Sequence, residues 1–421
     1  MDLESWEFAL RQAVLAAGAN LLEEMLEGLG SGRQEQALLC DCGAKMKGRG
    51  RKYKRIKTIL GKIQLKRSSY VCEQCGSIRI PADEILGVRH TGFSPGVRRM
   101  MARAGQRDTF KEARDDLKIF AEIEVCAKDV ERVAEATGRQ IEEWQTKERA
   151  VLLEAQSEVE NMEPIEVMYV SYDGTGVPMV PWEPTLGKGK QKDASSKTRE
   201  VKLGCVFTQT KRDEKGFPIR DEDSATFVGA IESSTEFGLR IYAEALRRGL
   251  EKAKKVVIIA DGARYNWEIA ALHFPHCIQI VDLYHAREHL HELCGLVIAA
   301  GGSELIRMET HWRTILDEGR VEDIINCAAV LTPRSGKRKT KIKKEIGYFE
   351  NNAHRMRYAD YRAQGLFVGS GVVEAGCKTV IGKRLKQSAM KWTVRGANSI
   401  IALRCCHISG RIEDFWEQKI A

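Results

Sequence analysis

Two short apolar segments that each end in an aspartate constrain the fold of this chain more than any other feature. Residues 167–172 lead into Asp173, residues 256–260 lead into Asp261, and a glycine follows each aspartate. β-Branched and aromatic residues dominate both segments, which predicts buried strands that stop at the glycines. Because an unpaired buried carboxylate is costly, two acids at strand ends predict a shared cation. An Asp-Gly pair that only forms a turn is the alternative explanation.

A third acid, Glu374, completes a candidate set of carboxylates. It follows the glycine-rich stretch 369–371 and precedes a segment rich in lysine and arginine. Oxygen ligands suit hard cations such as Mg²⁺ or Mn²⁺. Two such ions held by three carboxylates can activate one oxygen and stabilise the leaving oxygen in phosphoryl transfer. Spacing alone does not choose the third acid, because Asp282 also ends an apolar segment and Glu268, Glu288, Glu345 and Glu350 also follow Asp261.

Four motifs resemble those of the DDE transposases of bacterial insertion sequences, in particular the ISKra-type group, which is related to the Mutator superfamily. They are Tyr-Asp-Gly-Thr at 172–175, Ala-Asp-Gly-Ala at 260–263, Val-Asp-Leu-Tyr-His at 281–285 and Gly-Val-Val-Glu at 371–374. The resemblance implies that Asp173, Asp261 and Glu374 are catalytic and hold two Mg²⁺ or Mn²⁺ ions that cut and join DNA at transposon ends. It also implies that Asp282 and His285 form the accessory D-x-x-H element of this superfamily.

Strands followed by alternating strands and helices predict an α/β fold, and the resemblance implies an RNase H-like catalytic domain with a helical insertion. The longer gap between the second and third acids suits such an insertion. We expect an N-terminal helix (1–35), a zinc ribbon (36–92), a helical, helix-turn-helix-like DNA-binding region and linker (93–162), the first part of the core (163–295), the helical insertion (296–366), and the rest of the core with the third acid and C-terminal helices (367–421).

Two cysteine pairs in the N-terminal part predict a structural Zn²⁺ site. Cys40 and Cys42 precede Gly43, and Cys72 and Cys75 precede a second glycine. Four thiolates suit tetrahedral zinc, and the glycines let the chain turn tightly around the metal. Alternating basic and apolar residues between the pairs predict a β-hairpin. Four cysteines without a metal are the alternative.

Clustered positive charge predicts contacts with double-stranded DNA. Residues 45–67 hold eleven lysines and arginines, and further basic runs lie at 187–192 and 334–344. Two short helices over 109–134 resemble a helix-turn-helix, with a plain helical connector as the alternative; solvated faces are the alternative for the basic runs. The predicted DNA contacts are Lys52, Lys54, Arg55, Lys57, Lys128, Arg132, Lys337, Arg338, Lys339, Lys341, Lys378, Arg384 and Trp392.

Composition narrows the remaining possibilities. The 421 residues carry a formal net charge of +8, which permits a polyanionic partner. Without a signal-like or membrane-spanning apolar segment, we expect a cytoplasmic, nucleoid-associated protein that acts as a homodimer or higher oligomer and has no membrane partner. A catalytically inactive DNA-binding protein derived from a transposase, and an RNase H-like nuclease, are the alternative functions.

Overall fold

The chain forms two compact units, Met1–Thr137 and Gly138–Ala421. The computed structural model describes residues 2–155, 163–183, 198–298, 302–387 and 389–418. The predicted lysine-rich loop at 187–192 and the end of the predicted linker near residue 162 lie outside these ranges.

The first unit combines a helix, a small antiparallel sheet and a group of helices. Ile56, Ile63 and Leu65 of the sheet are buried in one of its cores, which confirms the predicted hairpin, with strands β1 and β2 paired around Gly61. In chain order the elements are α1 (Leu3–Gly28), β1 (Lys47–Thr58), β2 (Gly61–Val71), β3 (Ile78–Arg79), α2 (Pro81–Ile85), α3 (Pro95–Arg107), α4 (Phe110–Ala121) and the start of α5 (Ala127–Ala155), whose residues from Gly138 onward belong to the second unit.

The predicted pair of short helices is only partly correct. Ser94 accepts a hydrogen bond from the amide of Val97 and Pro95 opens α3, as a cap followed by proline predicts. Five residues separate α4 from α5, but α5 is 29 residues long and is therefore not short. Its one glycine, Gly138, does not stop it; a Cβ there would lie 1.9 Å from the carbonyl oxygen of Ser399, so this glycine permits close packing.

A mixed five-stranded sheet organises the second unit. Its order is β10-β9-β4-β5-β8; β4, β9 and β10 are parallel, whereas β5 is antiparallel to β4 and β8. The elements are β4 (Ile165–Pro178), β5 (Thr198–Gln209), β6 (Lys211–Arg212), β7 (Pro218–Ile219), β8 (Thr226–Ala230), α6 (Ser234–Arg247), β9 (Ala253–Ala260), α7 (Arg264–His273), β10 (Ile278–Val281), α8 (Leu283–Val297), α9 (Gly302–Asp317), α10 (Val321–Leu331), α11 (Lys337–Asn352), α12 (Tyr358–Ala363), α13 (Gly371–Gly376), α14 (Lys383–Leu385), α15 (Val394–Ile408) and α16 (Ile412–Gln418).

The two predicted apolar segments are strands of this sheet, and β9 stops just before Asp261 as predicted. The prediction that β4 stops at Gly174 is wrong, because β4 continues through Asp173 and the glycines to Pro178 while paired with β5. Residues 167–172 of β4 are all buried, which means that both faces of the sheet are covered. Phe237 and Ile241 of α6 pack in the same core as Trp267 of α7 and Leu290 of α8. Helices α9 to α12 confirm that the predicted insertion region is helical.

The helix predicted over 372–390 differs from the observed structure. Helix α13 continues into a π-helical turn, Cys377–Gly382, and then into α14, which ends at Leu385. At Gly376 a Cβ would lie 2.4 Å from the ring of Phe227. Because this position admits no side chain, the segment can lie directly against β8.

None of the helices in the described part of the chain combines the length and apolar character that crossing a membrane requires.

Candidate functional site

The strand register brings three acids to one edge of the sheet. β4 and β9 run parallel with Ser171 opposite Ile259, and continuing that register by two residues sets Asp173 level with Asp261. β9 and β10 pair with Ala260 opposite Val281, so Asp282 follows at the same level. Neighbouring strands lie about 4.8 Å apart, and the carboxyl ends of parallel strands are where ligands bind in such sheets.

Asp173 is half-buried and carries a perturbed carboxylate. Its Oδ1 accepts a hydrogen bond from the amide of Gly174 at 2.7 Å. Burial raises the pKa of Asp173 above its usual value and the charge of Asp261 adds to this, whereas the Cys377 thiol, the Gly174 amide and His285 oppose the rise. The Asp173 carboxylate is therefore disfavoured in its charged form, and a cation would relieve that cost.

Asp261 is held by the start of the following helix. Its Oδ1 accepts hydrogen bonds from the amide of Ala263 at 2.9 Å and from Nδ2 of Asn266 at 2.5 Å. These contacts fix the carboxylate just after β9.

Asp282 links the first turn of α8 to the glycine-rich stretch before Glu374. It is fully buried, and its Oδ1 accepts from the amide of His285 at 2.8 Å, while its Oδ2 accepts from the amide of Ser370. The Ser370 hydroxyl donates to Oε1 of Glu374 at 3.0 Å. Asp282 is thus two hydrogen bonds away from Glu374 and positions it.

Donor atoms of Asp282, His285 and Glu374 all lie within 4.8 Å of one another, so this group could hold a metal ion. Among the described residues, Asp173 and Asp261 do not belong to a group this tight. The structure therefore groups Glu374 with the predicted accessory pair. Asp173 lies within β4, just beyond its last pair with β9, and Asp261 follows the end of β9.

Helix α11 supplies residues that the sequence analysis did not assign to the site. The ring of Tyr348 packs so closely on Gly262 that a Cβ there would lie 2.2 Å from a ring carbon. Tyr348 also stacks on His289, with ring centroids 3.7 Å apart. Burial raises the pKa of Tyr348, and the carboxylates of Asp261 and Asp282 add to the rise. Gly262 therefore permits a close approach as well as ending the strand.

Glu345 is a buried acid and was not predicted to have a structural role. Its Oε2 lies 2.6 Å from Nδ1 of His289, and only 4% of the residue is exposed. The sequence does hold a signal for it, because Glu345 shares the apolar face of α11 with Ile342, Ile346 and Phe349, where an acid needs a partner. For Cys377, which contacts Asp173, we find no such signal in the sequence.

The four cysteines that were predicted to bind zinc, Cys40, Cys42, Cys72 and Cys75, come together as predicted. The Sγ atoms of Cys40 and Cys75 are 3.4 Å apart and those of Cys42 and Cys72 are 3.5 Å apart; all four lie within 4.8 Å of one another. Zn–S bonds of about 2.3 Å in a tetrahedron require S–S distances of about 3.8 Å, so the cluster fits Zn²⁺.

Backbone geometry at the cysteine cluster matches a metal knuckle. Gly43 and Gly76 have φ angles of +85° and +72°, the left-handed conformation that glycine favours. The backbone amide of Cys75 donates to the Cys72 sulfur and is the main cause that lowers the pKa of Cys72 to about 7. Amides that face the sulfurs stabilise thiolates, which are the metal-binding form.

The predicted DNA contacts fall into three groups: buried, exposed and half-buried side chains. Arg384 and Trp392 are buried, with 0% and 6% of each residue exposed, and the Arg384 guanidinium lies 5.0 Å from the Trp392 ring. Both predictions are therefore wrong, because these side chains pack against each other inside the second unit. The exposed predicted contacts are Lys52, Arg55, Lys128, Arg132, Lys337, Lys341 and Lys378.

The other predicted basic contacts are half-buried and have partners within their own unit; of the exposed contacts, Lys128 also has a partner, Glu131, at 2.5 Å. Lys54 pairs with buried Asp83 at 3.1 Å, and Lys57 donates to the carbonyl of Glu124. Arg338 donates to the carbonyls of Leu296 and Val297 at the end of α8, and Lys339 donates to that of Arg334. These four side chains stabilise their own unit, which argues against a primary role in DNA contact.

Comparison with known proteins leaves the family open. No protein-family model and no curated protein matches the chain. Among solved structures, the Drosophila P element transposase strand transfer complex is similar with a TM-score of 0.24 and 8% sequence identity, covering 79% of this chain and 81% of that chain. A likeness this weak supports no argument about fold or function.

Proposed function

We propose that the second unit is an RNase H-like catalytic domain and that the protein is a DDE transposase. The observation that carries this proposal is the strand register, which sets Asp173 and Asp261 side by side at the carboxyl edge of a parallel strand pair. The sheet order β8-β5-β4-β9-β10 also supports it. In chain order, β4, β5 and β8 form antiparallel pairs, and β9 and β10 follow parallel to β4. RNase H-like sheets follow this pattern.

In this proposal Asp173, Asp261 and Glu374 hold two Mg²⁺ or Mn²⁺ ions, next to Asp282 and His285. Oxygen ligands suit these cations. When bound, such ions activate a water or a DNA 3′-hydroxyl and stabilise the leaving oxygen of the phosphodiester. The protein orients the ligands: Asn266 fixes Asp261, and Ser370 fixes Glu374.

Double-stranded DNA, as transposon ends and target, is the proposed partner. Phosphate contacts dominate the affinity of proteins for DNA, and the exposed lysines and arginines of β1, α5, α11 and the π-helical turn supply the positive charge. The cysteine cluster is proposed as a structural Zn²⁺ site of the DNA-binding region. Pairing two transposon ends requires a dimer or a higher oligomer, acting in the cytoplasm on the nucleoid.

A cleavage and strand-transfer assay tests the proposal. The substrates are labelled duplexes that span the two ends of the DNA flanking the coding sequence, and each is incubated with the full chain with and without Mg²⁺. We expect strand cleavage at one defined position per end, and joining to a target plasmid, only with the cation. Both products should disappear in Asp261→Asn.

Two arms of the assay separate the alternatives. Specific binding of the ends without cleavage in Mg²⁺ or Mn²⁺ would contradict the proposal and favour an inactive DNA-binding protein. Cleavage of an RNA–DNA hybrid, with duplex DNA left intact, would instead indicate an RNase H-like nuclease.

A further inference from the structure

Helix α1 exposes an apolar stripe, with Glu7 and Glu24 at its two edges, on the surface of the first unit. Its six large residues are between 58% and 73% exposed: Leu3, Trp6, Leu10, Val14, Leu21 and Met25. At 3.6 residues per turn these positions fall within an arc of about 100° on one side of the helix. A stripe this regular differs from the scattered exposed apolar residues that are normal on protein surfaces.

The opposite side of α1 already has its partner. Ala19 is buried, and Leu22 and Leu26 pack with it on the hairpin core. These residues lie roughly 140° around the helix from the centre of the stripe. The amide of Gln64 donates to Glu23 at 2.8 Å, which further fixes α1 on the hairpin. Packing within the first unit uses only this face of α1. It therefore does not explain why the exposed face is also apolar.

We propose that the stripe on α1 is a self-association surface, and that it binds the same stripe of a second copy of this chain in antiparallel orientation, with the two helices crossing at Val14. This inference concerns the first unit and does not depend on the proposed catalytic function.

The size of the stripe suits a stable pair of chains. At the observed exposures the six side chains leave on the order of 700 Å² open, against the roughly 800 Å² that each partner buries in a standard interface. The largest apolar patch of an ordinary monomer is only about 300–600 Å². The stripe therefore has the area that a dimer needs.

The arrangement of the stripe is self-complementary. In an isologous interface the same patch must fit itself after a two-fold rotation. Around Val14, antiparallel pairing sets Leu3 opposite Met25 of the second copy and Leu10 opposite its Gly18. Leu3 and Met25 thus meet as large apolar residues, Leu10 meets a gap, and Leu21 lies opposite Glu7 at the edge of the stripe. The small Ala17, one turn from Val14, allows the helices to approach closely.

Charge argues against the other partners that an apolar helix can have. The central residues 8–22 contain one ionisable side chain, Arg11, which pairs with Glu122 at 3.2 Å. The ends of the helix are acidic, with Glu4, Glu7 and Glu24 among them. Membrane-surface helices and nucleic-acid contacts need lysine and arginine around the apolar face, so a protein surface with an uncharged centre is the matching partner.

Sedimentation equilibrium of the full, zinc-loaded chain without DNA tests the proposal. We expect a concentration-dependent mass that approaches twice the 47.3 kDa of one chain. Val14→Arg should raise the dimer dissociation constant at least about 100-fold, because it sets two arginines against each other in an apolar interface. Val330→Arg is the matched control, since Val330 is an 85% exposed valine on another helix, and it should leave the dissociation constant unchanged.

Disulfide trapping of Val14→Cys gives a second readout in case the arginine variant folds poorly. The two introduced thiols meet at the two-fold crossing, so they should form an intermolecular disulfide that peptide mapping identifies, whereas Glu7→Cys should not link to itself. A chain that stays monomeric at every concentration, or a dimer that Val14→Arg leaves intact, would overturn the proposal.

Discussion

The two candidate metal sites of this protein are built in opposite ways. The cysteine site takes its four ligands from two turns at the ends of one hairpin, and its ligands are of one kind. The carboxylate site takes its groups from β4, the end of β9, the start of α8 and α13, which are far apart in the sequence. The first site is local and closed, whereas the second depends on the whole sheet and combines carboxylates with a histidine.

This difference indicates different tasks. Four protein ligands complete the coordination of zinc and leave no position for a substrate, as in structural sites. At the sheet edge, Asp282 uses both carboxylate oxygens on backbone amides, while Asp173 has a raised pKa that burial causes. A site that combines rigid support with a carboxylate that is costly to ionise suits catalysis.

The largest effect is expected at the cysteine site. Cys72→Ser in the full chain should remove the bound zinc and unfold the hairpin β1–β2, because structural zinc contributes on the order of 10–16 kcal/mol in small zinc domains. Metal analysis should fall from one zinc per chain toward zero, and amide exchange in β1 and β2 should become fast.

Cys327→Ser is the control for this experiment, because Cys327 is an exposed cysteine outside the cluster. It should retain full zinc and slow exchange. A Cys72→Ser protein that keeps its zinc and a protected hairpin would show that the sulfurs do not form a structural metal site.

At the carboxylate site we expect loss of activity without loss of fold. Asp261→Asn and Glu374→Gln should each reduce DNA cleavage by on the order of 10³-fold or more, because each removes a charge that the cation needs. Binding of the DNA ends should remain. Glu350→Gln is the control and should be active, because Glu350 is an exposed residue of α11. Glu345→Gln is a poor control, because it disturbs the contact of Glu345 with His289. Normal cleavage by Glu374→Gln would exclude it as the third ligand.

Within the carboxylate site, two acids should affect stability with opposite signs. Asp282→Asn should lower the free energy of unfolding of the second unit by about 1–3 kcal/mol, because an amide cannot accept from both buried N–H groups. Asp173→Asn should raise it slightly at pH 7 without added Mg²⁺. The pKa of Asp173 is raised in the folded state, so its ionisation destabilises the fold as the pH rises above the value of an unfolded aspartate.

Thermal unfolding of the second unit at pH 4 and pH 7 measures both effects. The advantage of Asp173→Asn should shrink at the lower pH, where the wild-type carboxyl is protonated in more of the folded molecules. If Asp282→Asn leaves stability unchanged, its hydrogen bonds to His285 and Ser370 do not support the site.

The same contrast, between a site built locally and a site built from distant segments, explains how much could be predicted from the sequence. The hairpin, the cysteine cluster and the two apolar strands that lead to Asp173 and Asp261 have local signals, and they were predicted correctly. The glycine after Asp173 was expected to stop β4, but pairing with β5 extends the strand to Pro178. The link from Asp282 through Ser370 to Glu374 depends on a backbone amide far along the chain, which no local pattern encodes. Arg384 was predicted to contact DNA because a basic helix was expected there, but it lies in the short helix α14 after a π-helical turn, and its side chain is buried.

The smallest expected effect concerns the basic helix α11. Measuring it distinguishes lysines that contact DNA from lysines that do not. Lys337 and Lys341 are exposed and one turn apart on the same side of the helix, whereas Lys339 and Lys343 lie on a different side, and Lys339 donates to the carbonyl of Arg334. Each phosphate contact contributes about 0.9 to the slope of log K against log salt. Replacing Lys337 and Lys341 with alanine should therefore flatten that slope by about 2.

The matched double variant of Lys339 and Lys343 removes the same charge from the same helix and should change the slope much less. Equal slopes for the two variants would mean that α11 contributes only through net charge, and that its lysines form a solvated face.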